Sequence, residues 1–108
     1  MLIAAAAQGR ELSARIADNY DESSHLLVVE TDSMEIIEAF EKTDVLGQSY
    51  LAPLEKHWCE AIVCGRIPRE IFASIADLGI SRYNGAGLSA EEGIKGAEDN
   101  SLPMMIKE

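Results

Sequence analysis

The sequence predicts a three-layer α/β domain, a mixed sheet of about five strands, one of them antiparallel, with helices on its flanks. Three observations predict it. Short apolar runs recur at residues 2–7, 25–31, 60–64 and 80–83. Apolar residues at helical spacing follow Ser49, Pro68 and Ser89. The resulting order is strand, hairpin, helix, strand, helix, strand, helix. Strand–helix–strand units close right-handed onto a parallel sheet, so the second half builds a parallel core with an antiparallel hairpin strand beside it.

The run Leu2–Ala7 is apolar on both faces, as a buried central strand would be, although alanine is a poor strand former. It has no basic segment before it and stops at Gln8-Gly9-Arg10, so it is expected as a strand and not as a secretory signal. Residues 8–24 are polar and expected mostly as loop. His25 to Thr31 forms a second strand, Asp32-Ser33 a turn, and Met34 to Phe40 the return strand, with Ile36, Ile37 and Phe40 apolar.

Ser49 is expected to cap a helix whose stripe is Tyr50, Leu54 and Trp58, with Pro53 confined to the first turn. Glu60 to Cys64 is a short buried strand. Pro68 opens the next helix, Ile71, Phe72, Ile75, Ala76 and Leu78 give it a core face, and Gly79 ends it. Ile80 to Tyr83 is the last strand, and Asn84-Gly85-Ala86-Gly87 a flexible turn. Ser89 and Glu92 have capping-box spacing for a final helix to about Ala97. One domain over residues 1–98 is expected, with 99–108 a loose tail broken by Pro103.

Composition narrows the function. Nine basic residues against 19 acidic ones give a net charge of −10. That opposes binding to nucleic acid or to an anionic membrane, and suits a cation or a basic protein partner. No apolar run approaches the ~20 residues of a membrane span. Two cysteines are too few for a disulfide scaffold, which points to the cytoplasm. No Gly-x-Ser-x-Gly elbow, His-Glu-x-x-His or dinucleotide fingerprint occurs, and no nucleophile, base and orienter can be named together, so a non-enzyme is expected.

In sheets of this kind ligands gather at the carboxyl ends of the parallel strands. Three glycine-containing loops are expected there: Gln8-Gly9-Arg10, Cys64-Gly65-Arg66-Ile67-Pro68 and Asn84-Gly85-Ala86-Gly87. Either their glycines make tight turns only, or they let backbone approach an anion that Arg10 and Arg66 attract. Cys64 is a small buried hydrophobe or a thiolate for a soft metal or an iron–sulfur cluster. Cys59 is the candidate second ligand, although Cys-x4-Cys is not a zinc spacing.

Ala61-Ile62-Val63-Cys64-Gly65-Arg66-Ile67-Pro68, followed by Phe72, Ile75, Leu78-Gly79-Ile80, Tyr83-Asn84-Gly85 and Ser89-Ala90-Glu91-Glu92, resembles the dinitrogenase iron–molybdenum cofactor biosynthesis family. The resemblance covers nearly the whole chain and is strongest over residues 61–85. It implies a ribonuclease-H-like fold, non-catalytic and transient binding of an iron–sulfur or iron–molybdenum cluster, and metallocluster assembly proteins as partners. On this reading Cys64, Gly65, Arg66, Asn84 and Gly85 line the site, and Cys64 with Cys59 are the metal-ligand candidates. The family's His-Phe-Gly-Arg-like segment corresponds to Asn19-Tyr20-Asp21-Glu22 here, so its candidate ligand histidine is replaced and two acids have arrived. Its Gly-rich segment before the first long helix is reduced to Leu46-Gly47-Gln48-Ser49. The alternative is a degenerate member that kept the fold as an interaction or regulatory module, with the acidic surface and Met104-Met105 meeting a partner.

Overall fold

A computed structural model of the protein describes residues 1–106. Five strands, β1 (Leu2–Ala7), β2 (His25–Glu30), β3 (Glu35–Glu41), β4 (Ala61–Cys64) and β5 (Ser81–Asn84), form one sheet in the order β3-β2-β1-β4-β5. β1, β4 and β5 run parallel, and β2 is antiparallel to both β1 and β3. The helices are α1 (Leu51–Lys56), α2 (Arg69–Asp77) and α3 (Ala90–Glu98). The expected α/β architecture with one reversed strand is therefore present.

β1 shows why four alanines can make a central strand. Ile3 to Ala7 are buried, because β2 and β4 cover both edges and helices cover both faces. Alternation sends Ala4 and Ala6 toward Tyr20, Tyr50, Leu54, Ile71 and Ile75, on the α1 and α2 face. It sends Ile3, Ala5 and Ala7 toward Ile16, Ile94 and Ala97, on the α3 face. Burial on both sides overrides intrinsic preference. The short side chains leave room for the rings of Tyr20 and Tyr50, which meet edge to face at 5.3 Å.

The hairpin explains the imperfect alternation of β3. Val29 pairs with Ile36, but Val28 pairs with Glu38, so Ile37 is the extra residue of a bulge. It is accordingly exposed, not part of the apolar face expected of it.

α1 departs most from expectation. Ser49 does not cap it. A 3-10 turn over Gln48–Tyr50 leads into the helix, and Ser49 Oγ accepts the Thr43 N–H at 3.2 Å instead. Pro53 sits in the first turn, where its missing N–H leaves no bond unmade. The helix ends at Lys56, so Trp58 is off the apolar stripe. The Trp58 N–H bonds to Glu55 O at 3.1 Å and the Cys59 N–H to Leu54 O at 3.2 Å. That is a Schellman ending with Trp58 in the left-handed position, φ 53°.

Pro68 lies one position before α2, and Gly79 (φ 77°) follows its end. Ile71 and Ile75 are buried and Phe72 half-buried, while Ala76 and Leu78, expected in the core, are exposed. The capping box of α3 is formed: Glu92 N–H donates to Ser89 Oγ at 3.1 Å, and Ser89 N–H to Glu92 Oε1 at 3.0 Å.

The segment expected as a loose tail runs back along the outer edge of β5. Asn84 N–H donates to Pro103 O at 3.0 Å, and Met105 N–H to Arg82 O at 2.7 Å. Leu102 packs on the α3 face and Met105 on the other. Lys107 and Glu108, the end of that expected tail, lie outside the described residues. No helix among the described residues is long and apolar enough to cross a membrane.

Candidate functional site

The chain after β1 crosses the carboxyl end of β4. Arg66 N–H donates to Asp18 O at 3.0 Å and Tyr20 N–H to Arg66 O at 2.8 Å, so Asn19 and Arg66 pair as a short parallel bridge. Tyr20 anchors this crossing from below: its ring is buried, and its hydroxyl donates to Gly47 O at 2.7 Å. Gly65 makes the crossing possible. A Cβ there would lie 2.0 Å from Asp18 O.

The crossing leaves a cleft of about 330 Å³ at the start of α2, lined by Asn19, Asp21, Arg66, Ile67, Pro68 and Arg69. Arg66 and Arg69 are exposed on it, and the helix N-terminus adds partial positive charge. Asn19 Nδ2 donates to Glu22 Oε1 at 2.7 Å, which fixes the amide at the rim. Lys42 Nζ donates to the backbone oxygen of Asp21. In an otherwise acidic protein this is a local concentration of guanidinium groups, opposed by the Asp21 carboxylate. Such a set holds an anion by charge and hydrogen bonds. It contains no thiol or imidazole, hence no soft metal ligand.

Of the expected site residues Cys64, Gly65, Arg66, Asn84, Gly85 and Cys59, Arg66 alone lines this cleft. Cys64 is fully buried beneath the crossing, and burial pushes its thiol up to about 12, with Arg82 acting weakly in the opposite sense. At neutral pH it is a protonated thiol inside the core, not a poised thiolate. Cys59 lies at the other end of β4, roughly 15 Å away at about 3.3 Å per strand residue. Burial raises its thiol to about 11. The expected Cys64–Cys59 ligand pair is thus not brought together. Among the described residues no cluster of three or more His, Cys, Asp or Glu side chains could hold a metal ion.

Gly65 serves the crossing through its missing side chain. Gly85 is buried, and a Cβ there would meet Val63 Cγ1 at 2.5 Å, so it is a packing position on the α3 face. Asn84 makes a turn: its Oδ1 accepts the Ala86 N–H at 3.1 Å. Neither Asn84 nor Gly85 lines the cleft. His25 Nδ1 pairs with Ser24 Oγ at 2.8 Å, and His57 Nε2 with Glu38 Oε1 at 2.6 Å, both away from it. Arg69 escaped the sequence reading. Its signal was present: Arg66 and Arg69 bracket Pro68, and a proline at a helix start places flanking basic residues around the first turn.

Comparison with known proteins bears on this geometry. A family model described as dinitrogenase iron-molybdenum cofactor matches residues 1–100. No curated protein matches the chain. Among solved structures, the apo form of the orange protein from Desulfovibrio gigas is similar with a TM-score of 0.84 and 18% identity, over 98% of this chain and 93% of that one. A NifB-like protein from Thermotoga gives 0.78 and 19%, over 95% and 91%. A dinitrogenase-like protein from Methanocaldococcus jannaschii gives 0.70 and 18%, over 100% and 97%. At such identities these likenesses show a shared fold.

Proposed function

Because this chain belongs to the dinitrogenase iron-molybdenum cofactor family, we propose that it binds an anionic metal–sulfur intermediate, iron–sulfur or iron–molybdenum, as cargo in the cleft of Asn19, Arg66 and Arg69. It does so without catalysis, in the cytoplasm, and passes the cargo to other metallocluster assembly proteins. The sheet order with its single reversed strand supports a ribonuclease-H-like classification, in which the carboxyl ends of the parallel strands form the binding end.

The observation that carries the proposal is the pair of exposed arginines at the start of α2, facing Asn19 across the bridge. The family resemblance implies a candidate ligand histidine at the position of Asn19, and with asparagine there the cleft holds cargo by charge and not by coordination. Asp21 repels an anion and keeps the hold weak, which suits a carrier that must release. The burial of Cys64 argues against thiolate ligation.

Anaerobic incubation with iron, sulfide and molybdate, then gel filtration and metal analysis, tests this. Metal is expected to travel with the protein, to fall about tenfold in an Arg66→Ala, Arg69→Ala double variant, and to persist in Cys64→Ser. Metal lost in Cys64→Ser but kept in the arginine variant would mean the core opens and the thiolate is the ligand. A well-folded protein that retains no metal would favour the alternative, an interaction module that keeps the fold without a cluster.

A further inference from the structure

A cavity of about 460 Å³ lies at the opposite end of the sheet from the cleft. It is a groove where β4 and β5 begin and α1 and α2 end, with Leu54, Trp58, Cys59, Leu78 and Ile80 as its apolar lining. Trp58, the only tryptophan in the chain, is 88% exposed there.

Two features of Trp58 have no explanation inside the fold. A large apolar ring stands in water beside an apolar groove that it does not fill. It also occupies the left-handed position of the Schellman ending, where a side chain is strained. The other two helices end with the residues that tolerate this conformation, Gly79 (φ 77°) after α2 and Asn100 (φ 61°) after α3. A tryptophan in the place of a glycine holds its ring at the groove mouth and away from the core. Buried aromatic anchors of this kind dominate protein interfaces once a partner covers them.

We propose that this groove docks a protein segment that presents an apolar side chain flanked by lysine or arginine. The apolar lining receives the side chain, and the Trp58 ring closes over it. The charged residues lining the groove, Glu55 and Glu60, are both acidic and exposed, on a chain of net charge −10. A basic segment is complementary to that rim, whereas a second copy of this chain would bring acidic rim against acidic rim. Docking at the amino ends of the parallel strands leaves the Arg66 cleft open. The groove's function is independent of the cleft's cargo, so failure of either reading leaves the other standing.

Trp58 fluorescence reads the binding directly. The probes are an array of short synthetic peptides in which a central pair of apolar residues, varied across the array, is flanked by lysines. Controls carry the same pairs flanked by glutamates, or two alanines flanked by lysines. A saturable blue shift is expected with some of the lysine-flanked apolar peptides, weakened by salt. Affinity should fall at least about tenfold for both control sets and for a Glu55→Lys, Glu60→Lys variant.

Trp58→Gly separates a docking role from a structural one. It should lose binding by calorimetry while its urea midpoint stays the same or rises, since glycine suits the left-handed position. No response across the array overturns the proposal, as does equal binding of the glutamate-flanked peptides. So does sedimentation that shows a dimer of this chain which Trp58→Gly dissociates. A Trp58→Gly variant with a lowered midpoint and unchanged binding assigns the ring to folding instead.

Discussion

A methyl group added at Gly65 would stand 2.0 Å from the Asp18 carbonyl oxygen and 2.4 Å from its carbon. Those atoms are backbone, so no rotamer change relieves the clash. Residues 17–19 would have to lift away from β4, and the Arg66–Asp18 and Tyr20–Arg66 hydrogen bonds hold them there. Gly65→Ala is therefore expected to destabilise the protein by about 2–3 kcal/mol, the upper range of overpacking in a tight site. Urea denaturation measures it, and a change below about 0.5 kcal/mol, the size of an ordinary surface substitution, would mean the crossing is loose. The same substitution should weaken metal retention, because Asn19 leaves the cleft when its neighbours move. At this scale the sequence was half legible. A glycine and an arginine after a buried strand mark a candidate loop. That the loop is roofed by residues 17–19, sealing Cys64 beneath, depends on a contact between distant segments that no local pattern records.

Elements whose identity follows from burial pattern were legible, and those set by tertiary contact were not. β1, β2, β4 and the capping box of α3 follow from apolar runs and a side-chain spacing. The early end of α1 does not, because Tyr50, Leu54 and Trp58 repeat as a helix would while the chain turns off at Lys56. The pairing of residues 103–105 with β5 uses backbone groups of an edge strand, and Pro103 contributes only its carbonyl. Leu102 and Met105 pack on opposite faces, but two apolar residues around a proline are too few to mark a strand in the sequence. α2 shows what the helical pattern overstates. Phe72 reads as core, but its ring is half-buried, with the Arg82 guanidinium 4.7 Å above it. Phe72→Ala should cost about 1–2 kcal/mol, below the ~3–5 of a buried phenylalanine, from partial burial and one cation–π contact. An Arg82→Met companion would isolate the second part. A loss above about 3 kcal/mol for Phe72→Ala alone would return the ring to the core.

Taken as a whole, the molecule has an arginine-lined cleft at the carboxyl ends of its parallel strands and an acid-rimmed apolar groove at their amino ends. Between them, the α1 and α2 face buries four weak acids in neutral form, Tyr20, Tyr50, Cys59 and Cys64. Burial raises the Cys64 thiol to about 12 and the Cys59 thiol to about 11. It raises the Tyr50 phenol to about 12, against a hydrogen bond with Ser23, and raises Tyr20 as well. In the unfolded chain the thiols release protons near 9 and the phenols near 10. The folded protein therefore binds more protons than the unfolded one above those values, and its stability falls as pH rises. The contribution is complete below about pH 9 and is lost progressively toward 12. Urea midpoints are expected to be level from neutral pH to about 9 and to decline steeply beyond. Growing self-repulsion in an already acidic chain adds to that decline, so a Cys64→Ala variant is the control. Its profile should be shallower than the wild type's in the alkaline range, since one buried acid has been removed and the surface charge is unchanged. Identical slopes in the two proteins would mean that Cys64 is already ionised or exposed in the native state, which would reopen it as a ligand.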